Sequence, residues 1–147
     1  MRNFAFNLAY WTLSITYGLA AAFAALAPGR KATTWVIRRY VHRMVQAMRL
    51  LAGIHLKVIG RENLPDGGFI IASKHQSWGD GFATYDQFDD LAFVTGDHLE
   101  KFPLLGTVLR KLGAIVVNNC GGREARDALK QRSADAHAEG RKILIYP

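Results

Sequence analysis

The first apolar segment of the chain runs from Phe4 to Pro28 without a charged residue. As a helix it is about 36 Å long at ~1.5 Å per residue, enough to cross a hydrocarbon core of ~30 Å. Pro28 and Gly29 end the predicted helix, and basic residues follow at once. We therefore predict a membrane helix, either spanning or half-inserted. A cleaved signal peptide and a buried core helix are the alternatives.

A second helix is predicted over residues 31–52, where apolar side chains recur at steps of four and three. These residues are Ile37, Val41, Met44, Met48 and Leu51. The opposite side of the helix is largely polar or basic, with Arg39, His42, Arg43 and Gln46. A basic amphipathic helix directly after an apolar one is typical of a segment in the lipid headgroup region, against anionic lipid. The alternative is an ordinary surface helix packed on a soluble domain.

The rest of the chain alternates short apolar runs with helical patterns. Strands are predicted at 54–59, 69–73, 91–95, 114–117 and 143–146, and helices at 80–88, 103–112 and 124–139. This alternation predicts an α/β fold with a mainly parallel sheet flanked by helices. Residues 1–53 form the membrane-associated two-helix arm in this interpretation. Residues 54–147 form the α/β domain, which we expect to be incomplete at its C-terminus because an apolar strand would be left uncovered there.

Composition and charge narrow the class of protein. The 147 residues suffice for one domain, half of them are apolar, and a single cysteine excludes an internal disulfide. The net charge is +7, and all the excess positive charge lies in residues 1–60, which hold eight basic side chains and no acidic one, whereas residues 61–147 hold 11 basic and 12 acidic side chains. A basic arm also occurs in nucleic-acid binders. Because this arm is strongly apolar, it favours a membrane surface, and we expect no nucleic-acid partner.

Polar residues suited to catalysis or ligand binding follow the predicted strands. His75 comes just after the strand at 69–73, Asn118 and Asn119 follow the fourth strand, and Pro147 follows the fifth. In parallel α/β sheets, ligand-binding groups lie beyond the carboxyl ends of the strands. A histidine is suited to general-base work near neutral pH, and the carboxylate of Asp80, five residues on, has the reach to fix its tautomer. A purely structural loop histidine is the alternative.

The order of motifs along the chain resembles that of the glycerolipid acyltransferase family, of the 1-acylglycerol-3-phosphate acyltransferase type. The run Ser73-Lys74-His75-Gln76-Ser77-Trp78-Gly79-Asp80 resembles its first motif, [Asn]-His-x-x-x-x-Asp. Phe102-Pro103-Leu104-Leu105-Gly106 and Leu112-Gly113-Ala114-Ile115-Val116-Val117 resemble the stretch leading into its second motif. Ile145-Tyr146-Pro147 resembles the start of the third motif, [Phe/Tyr]-Pro-Glu-Gly-Thr-Arg. An N-terminal pair of membrane-associated helices is also usual in this family.

The resemblance implies acyl transfer from acyl-CoA or acyl carrier protein to the free hydroxyl of a lysophospholipid. The expected reaction is lysophosphatidate to phosphatidate in phospholipid biosynthesis, with His75 as general base and Asp80 orienting it. It implies no covalent acyl-enzyme, so Ser77 is not expected to be a nucleophile, and no cofactor or metal. The expected partners are the two substrates, anionic membrane lipid and, as a candidate, acyl carrier protein. The expected location is the cytoplasmic face of a bacterial inner membrane.

Two departures from the family pattern affect substrate binding. Asn118-Asn119 stands where the second motif has Asp-Arg, and an arginine suits a phosphate better than asparagine does. The candidate substrate-binding residues are therefore Asn118, Asn119 and, as a replacement cation, Arg123. Because the rest of the third motif is missing, we expect residues 1–147 alone to be inactive. An acyltransferase for another lysolipid acceptor and a non-catalytic membrane-bound module are the alternatives.

Overall fold

The computed structural model of the chain describes residues 2–118 and 121–146. The helices are α1 (Arg2–Ala24), α2 (Lys31–Ala47), α3 (Gly79–Tyr85), α4 (Pro103–Leu112) and α5 (Gly122–Ala138). A π-helical turn extends α2 over Met48–Ala52, and short 3₁₀ helices lie at Arg61–Asn63 and Asp97–Lys101. The strands are β1 (Ile70–Ala72), β2 (Leu91–Gly96), β3 (Ile115–Val117) and β4 (Lys142–Ile145). The chain divides into two compact units.

The first unit contains the residues up to Leu64 together with Ser77–Gln87. In this unit, Tyr40 of α2 contacts both α1 and α3. The Tyr40 hydroxyl is hydrogen-bonded to the Ser14 hydroxyl of α1 at 2.9 Å. Its ring packs edge-on against Phe82 of α3, with ring centroids 5.5 Å apart. Burial raises the pKa of the Tyr40 phenol, although its hydrogen bond with the Ser14 hydroxyl acts in the opposite direction. The predicted apolar stripe of α2 is confirmed at its centre, where Val41 and Met44 are buried.

One face of α1 is apolar and exposed. Its residues recur at helical spacing and are each 59–79% exposed: Phe4, Leu8, Trp11, Ile15, Leu19 and Phe23. Among the described residues, no helix is both long and apolar enough to cross a membrane. The spanning form of the membrane-helix prediction is therefore not supported. Polar residues within α1, such as Asn7, Thr12 and Ser14, lower its mean hydropathy, although the uncharged run is long enough.

The strand predicted at 54–59 is absent. These residues form no β pairing, and the apolar side chains that suggested a half-buried strand are exposed on both sides of the segment. Val58 is 52% exposed and Ile59 is 79% exposed. Alternation of apolar and polar residues is a local signal, and a strand also needs a neighbour with free backbone groups.

The boundary predicted between the two-helix arm and the α/β domain, between residues 53 and 54, stays a prediction.

The second unit contains Pro65–Gln76 and the chain from Phe88 onward, and is built on a four-stranded parallel sheet. The strand order is β1-β4-β2-β3. β4 pairs with β1 through Ile71 and Leu144 and with β2 through Phe93 and Leu144, while β2 pairs with β3 through Val94 and Ile115. This confirms the predicted α/β class and the parallel sheet with flanking helices.

The last strand, β4, lies inside the sheet and not at its edge. Its two central residues point to opposite faces, and both are buried, Ile143 at 3% and Leu144 at 2% exposure. Ile143 packs with Ala92, Ile115 and Ala136 of α5 in the apolar core of this unit. The expectation that the terminal apolar strand would be left uncovered is therefore wrong. Insertion between β1 and β2 gives β4 a pairing partner on each side, and the burial of Ile143 and Leu144 shows that both of its faces are covered.

Candidate active site

All four strands are parallel, so their carboxyl ends meet at one edge of the sheet, which we call the carboxyl edge. His75 comes three residues after β1, Tyr146 follows β4, Asp97 follows β2 and Asn118 follows β3. Groups that bind ligands in parallel α/β sheets lie beyond this edge. The prediction that His75 and Asn118 follow strand ends is confirmed.

His75 is held at the carboxyl edge beside the end of β4. The backbone N–H of Ser73 donates to the carbonyl oxygen of Ile145 at 3.0 Å, so the pairing of β1 with β4 continues past β1. His75 lies two residues after Ser73, beyond the end of the sheet, and is exposed. Its imidazole stacks on the phenol ring of Tyr146, with ring centroids 4.5 Å apart and planes inclined at 29°. An imidazole in this position is accessible to a substrate and restricted in orientation.

Asp80 lies in the first turn of α3, in the other compact unit, and organises a tight turn there. Its Oδ2 accepts a hydrogen bond from the backbone N–H of Ser77 at 2.7 Å, and its Oδ1 accepts one from the Ser77 hydroxyl at 3.0 Å. The Ser77 hydroxyl oxygen in turn accepts from the backbone N–H of Gly79 at 3.1 Å. Asp80 therefore has a structural role within its own helix start. Its action on His75 stays a prediction.

Two further predicted site residues lie on the β3 side of the sheet. Asn118 directly follows β3, Arg123 is exposed in the first turn of α5, and Asn119 lies outside the described residues. β1 and β3 are the outer strands, with β4 and β2 between them. Because neighbouring strands are about 4.8 Å apart, the backbones at His75 and Asn118 leave the sheet about 14 Å apart. Asn118 therefore lies at the same edge of the sheet as His75, but it follows the opposite outer strand.

A charged cleft of about 590 Å³ borders Asn118 on the β3 side of the sheet. Its lining includes Asp97, Asp135 and Arg132, and His75 is not among the lining residues. The Arg132 guanidinium donates to the carbonyl oxygen of Val116 in β3 at 3.1 Å, so this arginine is engaged with the sheet.

His55, His98 and His137 are exposed, and Cys120 lies outside the described residues. Within residues 2–118 and 121–146, no three His, Cys, Asp or Glu side chains are grouped so that they could hold a metal ion.

The sequence interpretation missed the contact that Tyr146 makes with His75. It placed Tyr146 inside the last strand, whereas β4 ends at Ile145 and the tyrosine is the first residue beyond it. The signal that would have revealed the contact is the order of the strands. Once β4 is known to be the neighbour of β1, the residues after the two strands must meet.

Comparison with known proteins assigns the class. The family profile described as Acyltransferase matches residues 55–147, a range that contains all the predicted site residues. A Pseudomonas aeruginosa protein named 1-acyl-sn-glycerol-3-phosphate acyltransferase is 27% identical over 148 residues, covering 100% of this chain and 58% of the relative. A Saccharomyces cerevisiae protein of the same name is 26% identical over 133 residues, covering 89% of this chain and 43% of the relative.

The chain belongs to the Acyltransferase family. It spans about half the length of the curated relatives it matches. No solved structure matches it.

Proposed function

We propose that the protein transfers an acyl group from acyl-CoA or acyl carrier protein to the free hydroxyl of a lysophospholipid, converting lysophosphatidate to phosphatidate. Membership of the Acyltransferase family supports acyl transfer, and the names of the two relatives support lipid synthesis. The structural observation that carries the proposal is the exposed imidazole of His75 at the carboxyl edge, stacked on Tyr146.

In the proposed reaction, His75 acts as the general base. An imidazole nitrogen takes the proton of the acceptor hydroxyl while the hydroxyl oxygen forms a bond to the thioester carbonyl carbon. The tetrahedral intermediate then collapses, its carbon–sulfur bond breaks, and the imidazolium gives its proton to the leaving thiolate. General-base catalysis of this kind contributes about 10²–10⁴-fold. No covalent acyl-enzyme and no cofactor are required by this sequence of steps.

We assign Asp80 to the orientation of His75 and to stabilisation of its protonated form, on the basis of the His-x-x-x-x-Asp spacing. The turn that Asp80 forms with Ser77 fixes the carboxylate relative to α3. The Ser77 hydroxyl is engaged in the same turn, with Asp80 as acceptor and Gly79 as donor, which agrees with a structural role for this serine.

The acceptor is bound at the carboxyl edge in this proposal, with Asn118, Asn119 and Arg123 as contacts to its headgroup. Asn118 offers neutral hydrogen bonds only, whereas the exposed Arg123 supplies a fixed positive charge. The neutral asparagines favour a second candidate function, acyl transfer to a lysolipid whose headgroup is not a phosphomonoester. Comparing acceptors distinguishes the two.

We also propose that α1 and α2 hold the protein at the cytoplasmic face of a bacterial inner membrane. The exposed apolar face of α1 fits a helix that lies in the membrane interface, half-inserted with its axis near the membrane plane. On α2, the guanidinium of Arg39 lies over the ring of Trp35 at 5.5 Å. Trp35, Arg38 and Arg39 line a recess of about 430 Å³, whose arginines suit anionic headgroups.

The test is a transfer assay on the complete protein in detergent micelles, with labelled acyl-CoA or acyl carrier protein as donor. Lysophosphatidate is compared with lysophosphatidylcholine, lysophosphatidylglycerol and a lyso-ornithine lipid. Labelled phosphatidate as the fastest-formed product supports the main proposal, and faster formation of another diacyl lipid supports the second candidate. Absence of labelled product from every acceptor with both donors contradicts acyl transfer.

Residues 1–147 alone are expected to transfer acyl groups at least about a hundredfold more slowly than the complete protein, because alignment of acceptor and thioester requires further charged donors. Purifying both forms and assaying them side by side tests this. Equal rates would mean that residues 1–147 contain every group the reaction requires.

A further inference from the structure

Tyr146 is attached to one of the two inner strands of the sheet. It directly follows β4, which is paired on one side with β1 and on the other with β2. Leu144 is 2% exposed and pairs with both Ile71 and Phe93, and Ile145 pairs with Ala72. The main-chain position of Tyr146 is therefore set by a strand that is paired on both sides.

The imidazole of His75 stands on a less restrained part of the chain. It lies three residues beyond the end of β1, in an exposed segment. Few of the staggered rotamers of a histidine side chain place its imidazole against a substrate hydroxyl. Stacking at 4.5 Å with an interplanar angle of 29° restricts the imidazole to a plane set by the tyrosine ring.

We propose that Tyr146 is a positioning residue for His75, an inference that rests on the proposed general-base function of that histidine. The ring of Tyr146 transfers the rigidity of β4 to the imidazole and holds it in the plane from which it removes the acceptor proton. The aromatic face performs this task, so a phenylalanine serves as well as the tyrosine. Loss of the ring lowers kcat and leaves the binding of the thioester unaffected.

The first arm of the test is spectroscopic and independent of activity. The complete protein in detergent is labelled at its histidine rings, and the His75 ring protons are assigned by their disappearance in His75→Gln. Because they lie over the Tyr146 ring, we expect these protons to be shifted upfield by its ring current. The shift persists in Tyr146→Phe and is lost in Tyr146→Leu and in Tyr146→Met. The methionine variant offers an unbranched, flexible side chain of about the same volume as leucine, in case leucine prevents folding.

The second arm measures kcat and KM for acyl transfer in the same variants. We expect at least about a tenfold fall in kcat for Tyr146→Leu and Tyr146→Met, with KM for the thioester within about twofold. Tyr146→Phe should keep the kcat of the unmodified protein. Phe88→Leu is the matched control, since it breaks the edge-on Phe69–Phe88 pair in the same unit, whose centroids are 5.9 Å apart. It should change neither the His75 shift nor kcat.

Two results would overturn the proposal. One is an unshifted His75 ring in the unmodified protein. The other is full kcat in a Tyr146→Leu or Tyr146→Met variant whose ring-current shift has been lost. Failure of the proposed function is a different result, namely undiminished kcat in His75→Gln. In that case the shift still reports the stacking, and the imidazole it restrains is not the base.

Discussion

The guanidinium of Arg141 donates a hydrogen bond of 2.8 Å to the carbonyl oxygen of Leu112, the last residue of α4. The same side chain, only 5% exposed, also donates to the carbonyl oxygens of Gly113 at 3.1 Å and Leu91 at 3.4 Å. Its Nε lies 3.3 Å from the carboxylate of Asp90. One arginine thus satisfies helix-terminal carbonyls and joins the starts of β2 and β4, at the edge of the sheet opposite His75.

Arg141→Met should lower the free energy of unfolding by about 2–4 kcal/mol, because buried carbonyl oxygens lose their donors. Arg141→Lys should recover little of this, since an ammonium group lacks the planar fork that reaches several carbonyls at once. Chemical denaturation measures both. Lys130→Met, at an exposed position of α5, is the control and should change stability by no more than about 0.5 kcal/mol. A fully stable Arg141→Met protein would show that the buried arginine is dispensable.

Gly106 in α4 is required by the close approach of the preceding 3₁₀ helix. A Cβ on Gly106 would lie 2.5 Å from the carbonyl oxygen of Glu100, a backbone atom that cannot move aside cheaply. Gly106→Ala should therefore destabilise the protein, although alanine favours a helix over glycine by about 1 kcal/mol. Gly81→Ala in α3 is the matched variant, because no atom lies within 4 Å of its added Cβ, and it should stabilise slightly. Thermal melting should show a lower melting temperature for Gly106→Ala and a slightly higher one for Gly81→Ala.

Asp80→Asn should reduce acyl transfer at least about a hundredfold, because an amide cannot stabilise a protonated imidazole. Ser77→Ala separates this effect from that of the turn. It removes the hydroxyl hydrogen bond to Asp80 but keeps the carboxylate and the backbone hydrogen bond, so the fall in kcat should be much smaller. An equal fall in kcat in Asp80→Asn and Ser77→Ala would mean that Asp80 acts only by holding the turn.

Replacing Leu8 and Ile15 by glutamine should weaken binding to anionic vesicles, because both side chains belong to the exposed apolar face of α1. Leu104→Gln removes a comparable exposed side chain from α4 and serves as the control. Added salt should weaken the binding of all forms through screening of the basic residues. Vesicle co-sedimentation measures these effects. Undiminished binding of the double variant would contradict insertion of α1.

Much of the fold could be predicted because the signals are local. The predicted bounds of α4 are those observed, since Pro103 suits a first helical turn and Gly113, with a φ of 66°, ends the helix. The position of β4 between β1 and β2 could not be predicted, because strand order depends on contacts distant in sequence. The same limit explains the error at 54–59, where the pattern is present and a partner strand is not.

The candidate site was predictable residue by residue but not as an arrangement. The position of His75 at a strand end follows from the apolar run before it and the polar residues after it. Its contact with Tyr146 required the pairing of β1 with β4. The distance between His75 and Asn118 likewise depends on which strands separate them, and those strands come from distant parts of the sequence.

The measurement that tests the central claim most directly is the kcat of His75→Ala in the complete protein, with lysophosphatidate and acyl-CoA as substrates. Its matched control is His137→Ala, which removes an exposed imidazole from the last turn of α5. We predict that His75→Ala lowers kcat by about 10²–10⁴-fold without a change in melting temperature, and that His137→Ala keeps the full rate. A folded His75→Ala protein with undiminished kcat would contradict the assignment of His75 as the general base.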